Sequence, residues 1–378
     1  TEIYTLSLHD ALPICKNQAF DCKLEGEKAK MKERELRFVK RKIYSVFAIF
    51  VILFLLFFVK LPYYVTYPGD AETLGQMIHV EDGYENRGEF MLTTIRMGKA
   101  SIFQYFAAYF NKYQFIFPEK QVRREWESEQ DYDHRQLKVM ESSQQTAAIV
   151  AFQLADEPVE IKNEGVIVAG VLENMPASEQ IKAGDVIVEA DGNEIAETEQ
   201  LLNYLKEKRA GDSVQLKIER DGKSLLINVA VQPFPDDYAA NGETRHGIGI
   251  VGPVTKRTVV TERDLHFDTN NIGGPSAGLM FTLEIYNQLT KEDLTKGYKI
   301  AGTGEIFEDG SVGAVGGVEQ KIVAAHRANA DIFFAPMDGG NYQDAKKAAA
   351  DIETEMEVVP IKTVYDALDY LRSLETKR

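Results

Sequence analysis

Cysteine is almost absent from this 378-residue sequence, and both cysteines, Cys15 and Cys22, lie in the first thirty residues. The rest of the chain can therefore form no disulfide and offer no thiol nucleophile, so apolar cores must stabilise its fold. Positive charge is also in deficit, because the formal net charge is −16. Such an acidic chain is not expected to bind nucleic acid. With 44% hydrophobic and 27% charged residues, the composition indicates a folded protein with two or three domains.

Two common signatures of cofactor use are missing as well. The sequence contains no GxxxxGKS/T motif for binding ATP phosphates and no HExxH pair for binding zinc. The nearest piece of a phosphate-binding loop is Asp221 to Ser224, where Lys217 occupies the position that needs the earlier glycine. We therefore expect any enzymatic activity to proceed without ATP, metal or another cofactor.

One long apolar run, Ile43 to Val59, contains no charged residue and is followed by Lys60. As a helix it would span roughly 26 Å, close to the ~30 Å hydrocarbon core of a bilayer. A buried core helix is one alternative, but apolar residues cover the whole circumference of this segment. A cleaved signal peptide is another, but no small-x-small cleavage site follows the run. We predict an uncleaved transmembrane anchor over residues 43–60.

The flanks of this run predict its orientation. Residues 31–42 carry six basic and two acidic residues, and this excess of Lys and Arg favours a cytoplasmic N-terminus. The protein is thus predicted to be a single-pass cell-membrane protein whose remaining chain is extracytoplasmic. Residues 1–30 are interpreted as a non-native artefact, because Tyr4 to Ile14 resembles a translated sequencing adapter.

A β-rich module is predicted over residues 156–236, where short β runs alternate with Gly-containing turns around one amphipathic helix. This order resembles a PDZ domain, most specifically in the stretch GDVIVEADGNEI. The resemblance implies that an extended peptide pairs as an added strand with the backbone of Gly165, Val166, Ile167 and Val168. Glu164 stands where an anion-receiving loop would have glycine, so binding of C-termini, binding of internal segments and a purely structural role stay open.

A glycine-rich loop, Gly273-Gly274-Pro275-Ser276-Ala277-Gly278, precedes an apolar helix in the last third of the chain. Pro275 suits the first turn of a helix, which would put Ser276 in that opening turn. The free N–H groups of a helix N-terminus can stabilise an oxyanion. Ser276 is therefore a candidate nucleophile, and a serine that only caps the helix is the alternative.

A second glycine turn opens another helix, which carries Lys321 among apolar residues. A lysine acts as a general base only when it is neutral, and burial in apolar surroundings favours the neutral form. Thr303, in the stretch GTGEIFEDG, offers a hydroxyl that could orient the lysine nitrogen. We predict that Lys321 is the base for Ser276.

The motifs GGPSAG, TGEI and GGVEQK, in this order, resemble the Ser–Lys peptidase domain of the Lon protease family. The resemblance implies a catalytic serine at Ser276 and a catalytic lysine at Lys321, with Gly274, Pro275 and Ala277 around them. The anchor, the PDZ-like module and this domain together resemble the membrane-bound SepM/YlbL-type peptidases. These resemblances imply that the substrates are peptides or unstructured protein segments, exported signalling peptides among them. They also imply that the chain can form a homo-oligomer, since relatives assemble rings.

The expected fold class is α+β. The stretch LKVMESSQQTAAIVAF is similar to a helix that precedes the serine loop in Lon peptidase domains. The resemblance therefore implies a Lon-type α/β peptidase domain that is split into residues 61–155 and 237–378, with the PDZ-like module inserted between them.

Two other functions stay open. A Ser–His–Asp hydrolase could combine Ser276 with His266 or His326 and with Asp268, because catalytic triads assemble from any chain order. A non-catalytic, membrane-anchored PDZ scaffold is the second. His266 is otherwise interpreted as part of the site wall or as a structural residue.

Overall fold

The structure is a computed structural model that describes residues 12–123, 129–235, 245–269 and 272–377, with side chains described from residue 31 onward except at residue 35. Most of the adapter-like stretch lies outside the described residues. The helices are α1 (Leu12–Phe58), α2 (Ile102–Ala108), α3 (Glu119–Val122), α4 (Glu129–Leu154), α5 (Thr198–Lys206), α6 (Gly278–Leu289), α7 (Val318–Arg327), α8 (Asn341–Asp351) and α9 (Val364–Ser373).

The strands are short in most of the chain, apart from two long strands in its first third. They are β1 (Lys60–Thr73), β2 (Ile78–Val80), β3 (Glu89–Ser101), β4 (Phe115–Pro118), β5 (Val159–Ile167), β6 (Gly170–Val171), β7 (Val186–Ala190), β8 (Asn193–Glu194), β9 (Ser213–Arg220), β10 (Lys223–Ala230), β11 (Gln232–Pro233), β12 (His246–Gly247), β13 (Ile250–Val251), β14 (Val254–Thr261), β15 (Leu265–Phe267), β16 (Lys299–Gly302), β17 (Glu305–Ile306), β18 (Val312–Gly313), β19 (Ile332–Pro336) and β20 (Glu357–Ile361).

The first of two compact units contains the described residues up to Tyr63 together with Lys99–Phe110. Its main element is α1, whose segment Met31–Phe58 is long and apolar enough to cross a membrane. Among the described residues this is the one helix with that property. Length and apolar composition are shared by membrane-spanning helices and by N-terminal signal sequences.

The second unit contains a layered α/β core around a six-stranded sheet, in the order β20-β19-β16-β3-β1-β4. Strands β3, β16, β19 and β20 run parallel to one another. The stretch IFFAP of β19 is buried throughout, as expected for a strand that is covered on both faces. Ile332 and Phe334 pack into the cluster that contains α6 and α9, whereas Phe333 and Ala335 pack into the cluster of α7 and α8.

Helix α6 lies at the centre of this core. Eleven of its residues are buried, because apolar side chains occur on all of its faces and α4, α9 and the sheet surround it. One buried residue is acidic, Glu284, whose carboxylate accepts a hydrogen bond from Gln288 Nε2 at 2.6 Å. Burial raises the pKa of Glu284 to about 7.

A second core is built on another sheet, in the order β10-β9-β7-β5-β14, with β8 paired to β7. In the described chain, the fully buried residues of its apolar cluster lie within residues 166–248, whereas those of the cluster around α6 lie within residues 74–152 and 277–371. The β9–β10 hairpin turns at Asp221 and Gly222, and both residues have positive φ, as a type I′ hairpin turn requires. The second core therefore interrupts, in sequence, the elements that build the first one.

The edge strand β14 lies beyond residue 236, the predicted end of the β-rich module, yet it belongs to the same sheet. It pairs antiparallel with β5, from Val254 opposite Ile167 to Thr261 opposite Val159. Because about ninety residues separate the two strands, no local pattern reveals the pairing. The sheet of this module therefore continues into the segment that was assigned to the peptidase domain.

Candidate active site

The predicted serine loop leads directly into α6, with Ala277 as the N-cap residue and Gly278 as the first helical residue. Ser276 thus lies in the turn just before the helix, one step earlier than the opening helical turn in which it was predicted. Gly274 has φ +91°, a conformation that side chains disfavour. A Cβ atom on Gly278 would lie 2.7 Å from Ile306 Cγ2, so the close approach of this helix start to β17 requires glycine.

Helix α4 holds the serine loop from the other side. The N–H of Gly274 donates to the carbonyl of Gln136 at 3.1 Å, and Ser143 Oγ donates to the carbonyl of Pro275 at 3.1 Å. These bonds use backbone groups of the loop, so they fix its path whatever the side chain at position 276. Helix α4, which contains the stretch LKVMESSQQTAAIVAF, therefore positions the serine loop directly.

The side chain of Lys321 contacts the side chain of Ser276. It lies at the end of the first turn of α7, where its N–H donates to the carbonyl of the N-cap residue Gly317 at 3.1 Å. Its side chain is 2% exposed, and Nζ is 2.6 Å from Ser276 Oγ and 2.7 Å from Thr303 Oγ1. Burial lowers the pKa of Lys321 to about 7. At neutral pH much of this amine is therefore uncharged and able to accept a proton.

Thr303 connects the lysine to the serine loop. It follows β16 and is fully buried, and its hydroxyl accepts the bond from Lys321 Nζ while donating to the carbonyl of Ser276 at 2.9 Å. The N–H of Gly304 donates to the same carbonyl at 2.8 Å. Two hydrogen bonds thus hold the carbonyl group of Ser276. The hydroxyl of Thr303 also orients the Lys321 amine, because it accepts one of the N–H groups of Nζ.

A cavity of about 900 Å³ opens over these residues. The predicted residues Gly274, Pro275, Ser276, Ala277 and Lys321 all line it. The remaining wall comes from the end of β1, from β3 and from the first half of α4, and it includes Asp70, Glu72, Leu92, Ile95, Arg96, Met97, Tyr132, Asp133 and Gln136. A half-buried serine at the cavity wall, a buried amine beside it and a wide cleft are the parts that a hydrolase with an extended substrate requires.

The wall contributed by β3 carries no motif in the sequence that indicates a role in the site. Neighbouring β16 pairs with β3 only from Glu89 to Leu92 and then ends at Gly302. Beyond that point Ile95 and Met97 lie along the cavity without β16 beside them. Such a strand edge offers backbone groups to an extended peptide.

The histidines considered for a catalytic triad lie elsewhere. His266 is exposed on β15, directly opposite His79 of β2, and His326 Nδ1 is 2.9 Å from Thr354 Oγ1. No histidine of the described ranges lines the cavity, and neither does Asp268. The structure therefore brings neither His266 nor His326 to Ser276, and His266 is not part of the site wall.

The predicted peptide-binding position in the β-rich module needs correction. Val166 and Ile167 pair with β14 on one side and with β7 on the other, so β5 is an interior strand. The N–H groups of Gly165 and Val168 donate to the carbonyls of Ala196 and Asp185. The backbone of these four residues consequently has no free edge for an added strand.

Comparison with known families identifies two domains. Residues 139–231 match the PDZ domain, and residues 256–373 match the Lon protease C-terminal proteolytic domain. The expected α+β fold, with these two domains and one N-terminal apolar helix, is confirmed.

Individual relatives are similar over parts of the chain. A Lon protease of Campylobacter concisus is 26% identical over 217 residues, which are 56% of this chain and 25% of that protein. A probable periplasmic serine endoprotease, DegP-like, of a Marinomonas species is 32% identical over 25% of this chain and 21% of that protein. The chain thus spans a quarter or less of these curated relatives. The solved PDZ domain of an SdrC-like protein from Listeria monocytogenes is 29% identical over 23% of this chain and 85% of that domain, with a TM-score of 0.20.

Proposed function

We propose that this chain, which carries a PDZ domain and the Lon-type C-terminal proteolytic domain, is a serine endopeptidase that cleaves peptides or unstructured protein segments without ATP. The observation that carries the proposal is the contact of 2.6 Å between Lys321 Nζ and Ser276 Oγ. A lysine that is 98% hidden from solvent and has a pKa of about 7 is suited to remove the serine proton.

The reaction follows from these positions. Neutral Lys321 takes the hydroxyl proton of Ser276 while Oγ attacks the scissile carbonyl carbon and a tetrahedral oxyanion forms. The lysine ammonium then gives this proton to the leaving amine as the C–N bond breaks, which leaves an ester on Ser276. Lys321 next takes a proton from water, the resulting hydroxide attacks the ester, and the same proton returns to Oγ as the acid product leaves.

The start of α6 can stabilise the oxyanion. Within the described ranges, the N–H groups of Ser276 and Ala277 donate to no other group. Both lie at the N-terminal end of a buried helix, where unpaired N–H groups and the helix dipole favour negative charge. We assign these two N–H groups as the oxyanion donors.

The cleft supports binding of the substrate as an extended strand. The edge of β3 beyond Leu92 runs along the cavity from Ile95 to Met97, so a peptide can pair with it while its scissile bond reaches Ser276. Only an unfolded segment can present its backbone in this way, which is why peptides and loosely structured regions are the proposed substrates.

The PDZ domain is proposed to bind such segments as well, but not along β5. One edge strand of the sheet that contains β5 is β14, which lies next to β5. The N–H of Thr198, at the start of α5, donates to Thr255 Oγ1 of β14. A peptide strand can add to the outer edge of β14 ahead of Arg257, whose carbonyl already accepts a bond from Gln145. Leu202, exposed on α5, is available to contact its side chains.

Membrane anchoring by Met31–Phe58, with the proteolytic domain outside the cell, is part of the proposal. It is supported by the apolar composition of this helix and by the excess of basic residues that precede the apolar run. We also propose that the PDZ domain is inserted into a split peptidase domain, because the core around α6 uses chain from both sides of residues 166–248.

The test is to incubate the full chain, purified in detergent, with a peptide library in the presence of a metal chelator and without nucleotide. Mass spectrometry of the products should show internal cleavage that is absent with Ser276→Ala. Cleavage that required ATP or a metal, or that persisted in Ser276→Ala, would contradict the proposal.

A further inference from the structure

The first unit exposes an unusual number of aromatic side chains next to the apolar helix. Phe103 and Phe106 of α2 are 49% and 60% exposed, and Tyr109 and Phe110, which follow α2, are 67% and 92% exposed. We call these four residues the aromatic patch. Contiguous exposed apolar surface of this kind marks an interaction site rather than an ordinary solvated face.

The local sequence explains why α2, which carries Phe103 and Phe106, forms a helix with a defined start. Ser101 caps α2, with its side chain accepting from the N–H of Gln104 while the Gln104 side chain accepts from the N–H of Ser101. This reciprocal capping box defines the start of a short helix that has little core of its own, since Ala108 is its one buried residue. The aromatic side chains therefore point outward from an ordered helix.

The patch is continuous with the end of α1. The rings of Phe103 and Phe57 stack at 4.9 Å, and the N–H of Ile102 donates to the carbonyl of Val59 at 3.3 Å. Lys60 Nζ, directly after the apolar run, donates to the carbonyl of Lys99 at 3.1 Å. α2 thus begins next to the C-terminal end of the apolar helix, beside Lys60, which is the first charged residue after the apolar run.

We propose that the aromatic patch inserts into the interfacial layer of the lipid bilayer, as a second membrane contact beside α1. The inference rests on the proposed membrane anchoring of this chain. Aromatic rings favour the boundary between headgroups and acyl chains, and a short helix with exposed Phe and Tyr can lie in that boundary. Lipid is the occupant because the patch adjoins the one helix of the described chain that suits a bilayer, and Lys60 lies where headgroup phosphates would be.

The near absence of cysteine makes a direct test possible. Cys15 and Cys22 are replaced by serine, and a single cysteine is introduced at Phe50 in α1, at Phe110 in the patch, or at Ser224 on the exposed strand β10. Each full-length variant is labelled with an environment-sensitive fluorophore and reconstituted into phosphatidylcholine–phosphatidylglycerol vesicles. The vesicles contain lipids with a quencher attached near the headgroup or deep in the acyl chain.

The expected result is a graded pattern of quenching. The label at 110 should lose about half of its emission with the shallow quencher, the label at 50 should respond to the deep quencher, and the label at 224 should respond to neither. Adding Phe106→Asp should reduce the quenching at 110 severalfold, whereas the matched change Phe106→Leu should preserve it, because only the carboxylate opposes insertion.

Other outcomes would overturn the inference in distinguishable ways. If the label at 50 is quenched but the label at 110 behaves like that at 224, α1 is an anchor and the patch is not in lipid. If the label at 110 is shielded from water but not quenched by either lipid, a second copy of the chain covers the patch. If the label at 50 is not quenched, the anchor itself is wrong, while peptide cleavage in detergent remains a separate result.

Discussion

Changing Lys321, the proposed base, tests the proposed chemistry most directly. The pKa of this lysine falls from 10.5 to about 7 in the folded protein because the amine is buried. Moving a pKa by this much corresponds to on the order of 5 kcal/mol. Lys321→Ala should remove the proton acceptor and lower kcat/KM by at least about 10⁴-fold. Lys321→Arg should be equally inactive, because a guanidinium does not release its proton near neutral pH.

The sign of the pH dependence follows from which form is active. Only neutral Lys321 accepts the proton, so activity should rise as pH increases through the lysine pKa and then level off. With a pKa of about 7, roughly a tenth of the lysine is neutral at pH 6 and about half at pH 7, so kcat/KM should increase about fivefold over that interval. From pH 8 to pH 9 the increase should be small.

The assay is continuous cleavage of a quenched fluorescent peptide chosen from the library products, measured from pH 5.5 to 9. Ser276→Ala and the double variant with Lys321→Ala should show the same residual rate as Lys321→Ala alone, because the two residues act as one unit. His266→Ala and His326→Ala are the matched controls and should keep wild-type activity. Normal turnover in Lys321→Ala, together with loss of activity in either histidine variant, would show that Lys321 is not the base and would support a histidine triad.

Four further outcomes are expected. Thr303→Val should leave the fold intact, as judged by circular dichroism, but lower kcat without a matching change in KM, because the lysine loses the acceptor that orients it. Lys321→Met should raise the free energy of unfolding in urea titrations at pH 7 by about 2–4 kcal/mol, and this gain should shrink as pH approaches 10.5, where the unfolded lysine also becomes neutral. The stability contribution of Glu284 is lost as pH rises from about 4.5 to its folded pKa of about 7, so Glu284→Gln should stabilise the protein at pH 8 more than at pH 5. Leu202→Glu should lower kcat/KM for long substrates but not for short peptides, whereas Leu226→Glu on the exposed strand β10 should affect neither.

The sequence was most informative where chemistry is encoded in short motifs. The serine loop requires glycine at positions 274 and 278 for reasons that the structure makes explicit, namely a positive φ and contact with Ile306. The apolar neighbours of Lys321 likewise indicated a buried amine, which the structure contains at 2% exposure. Local constraints of this kind determine residue type and spacing, so they can be predicted from the sequence.

Features that depend on distant pairing were not predictable in the same way. The alternating residues of β14 fit a strand in either sheet, so its pairing with β5 and the loss of the free edge at Val166 could not be read from the pattern. The cavity wall from β3 was missed for a related reason, because it depends on where β16 ends, at Gly302. His266 was placed near the site from its proximity in sequence, but a short strand pairs it with His79.

The hydrogen bonds along α4 have a consequence for exchanging the PDZ domain with another. Gln145 of α4 donates to the carbonyl of Arg257 on β14, the edge strand beside β5, Gln144 donates to Thr269 Oγ1, and the carbonyl of Gln136 accepts from the serine loop. A foreign domain inserted at the predicted limits, 156 and 236, would leave β14 without its partner strand β5. The hydrogen bond between Gln145 and Arg257 of β14 would then be lost. A chimaera should therefore keep α4 and replace everything up to Thr261 with a guest whose own edge strand can accept the hydrogen bond from Gln145 in place of Arg257, because the junction decides whether the contacts of α4 are kept.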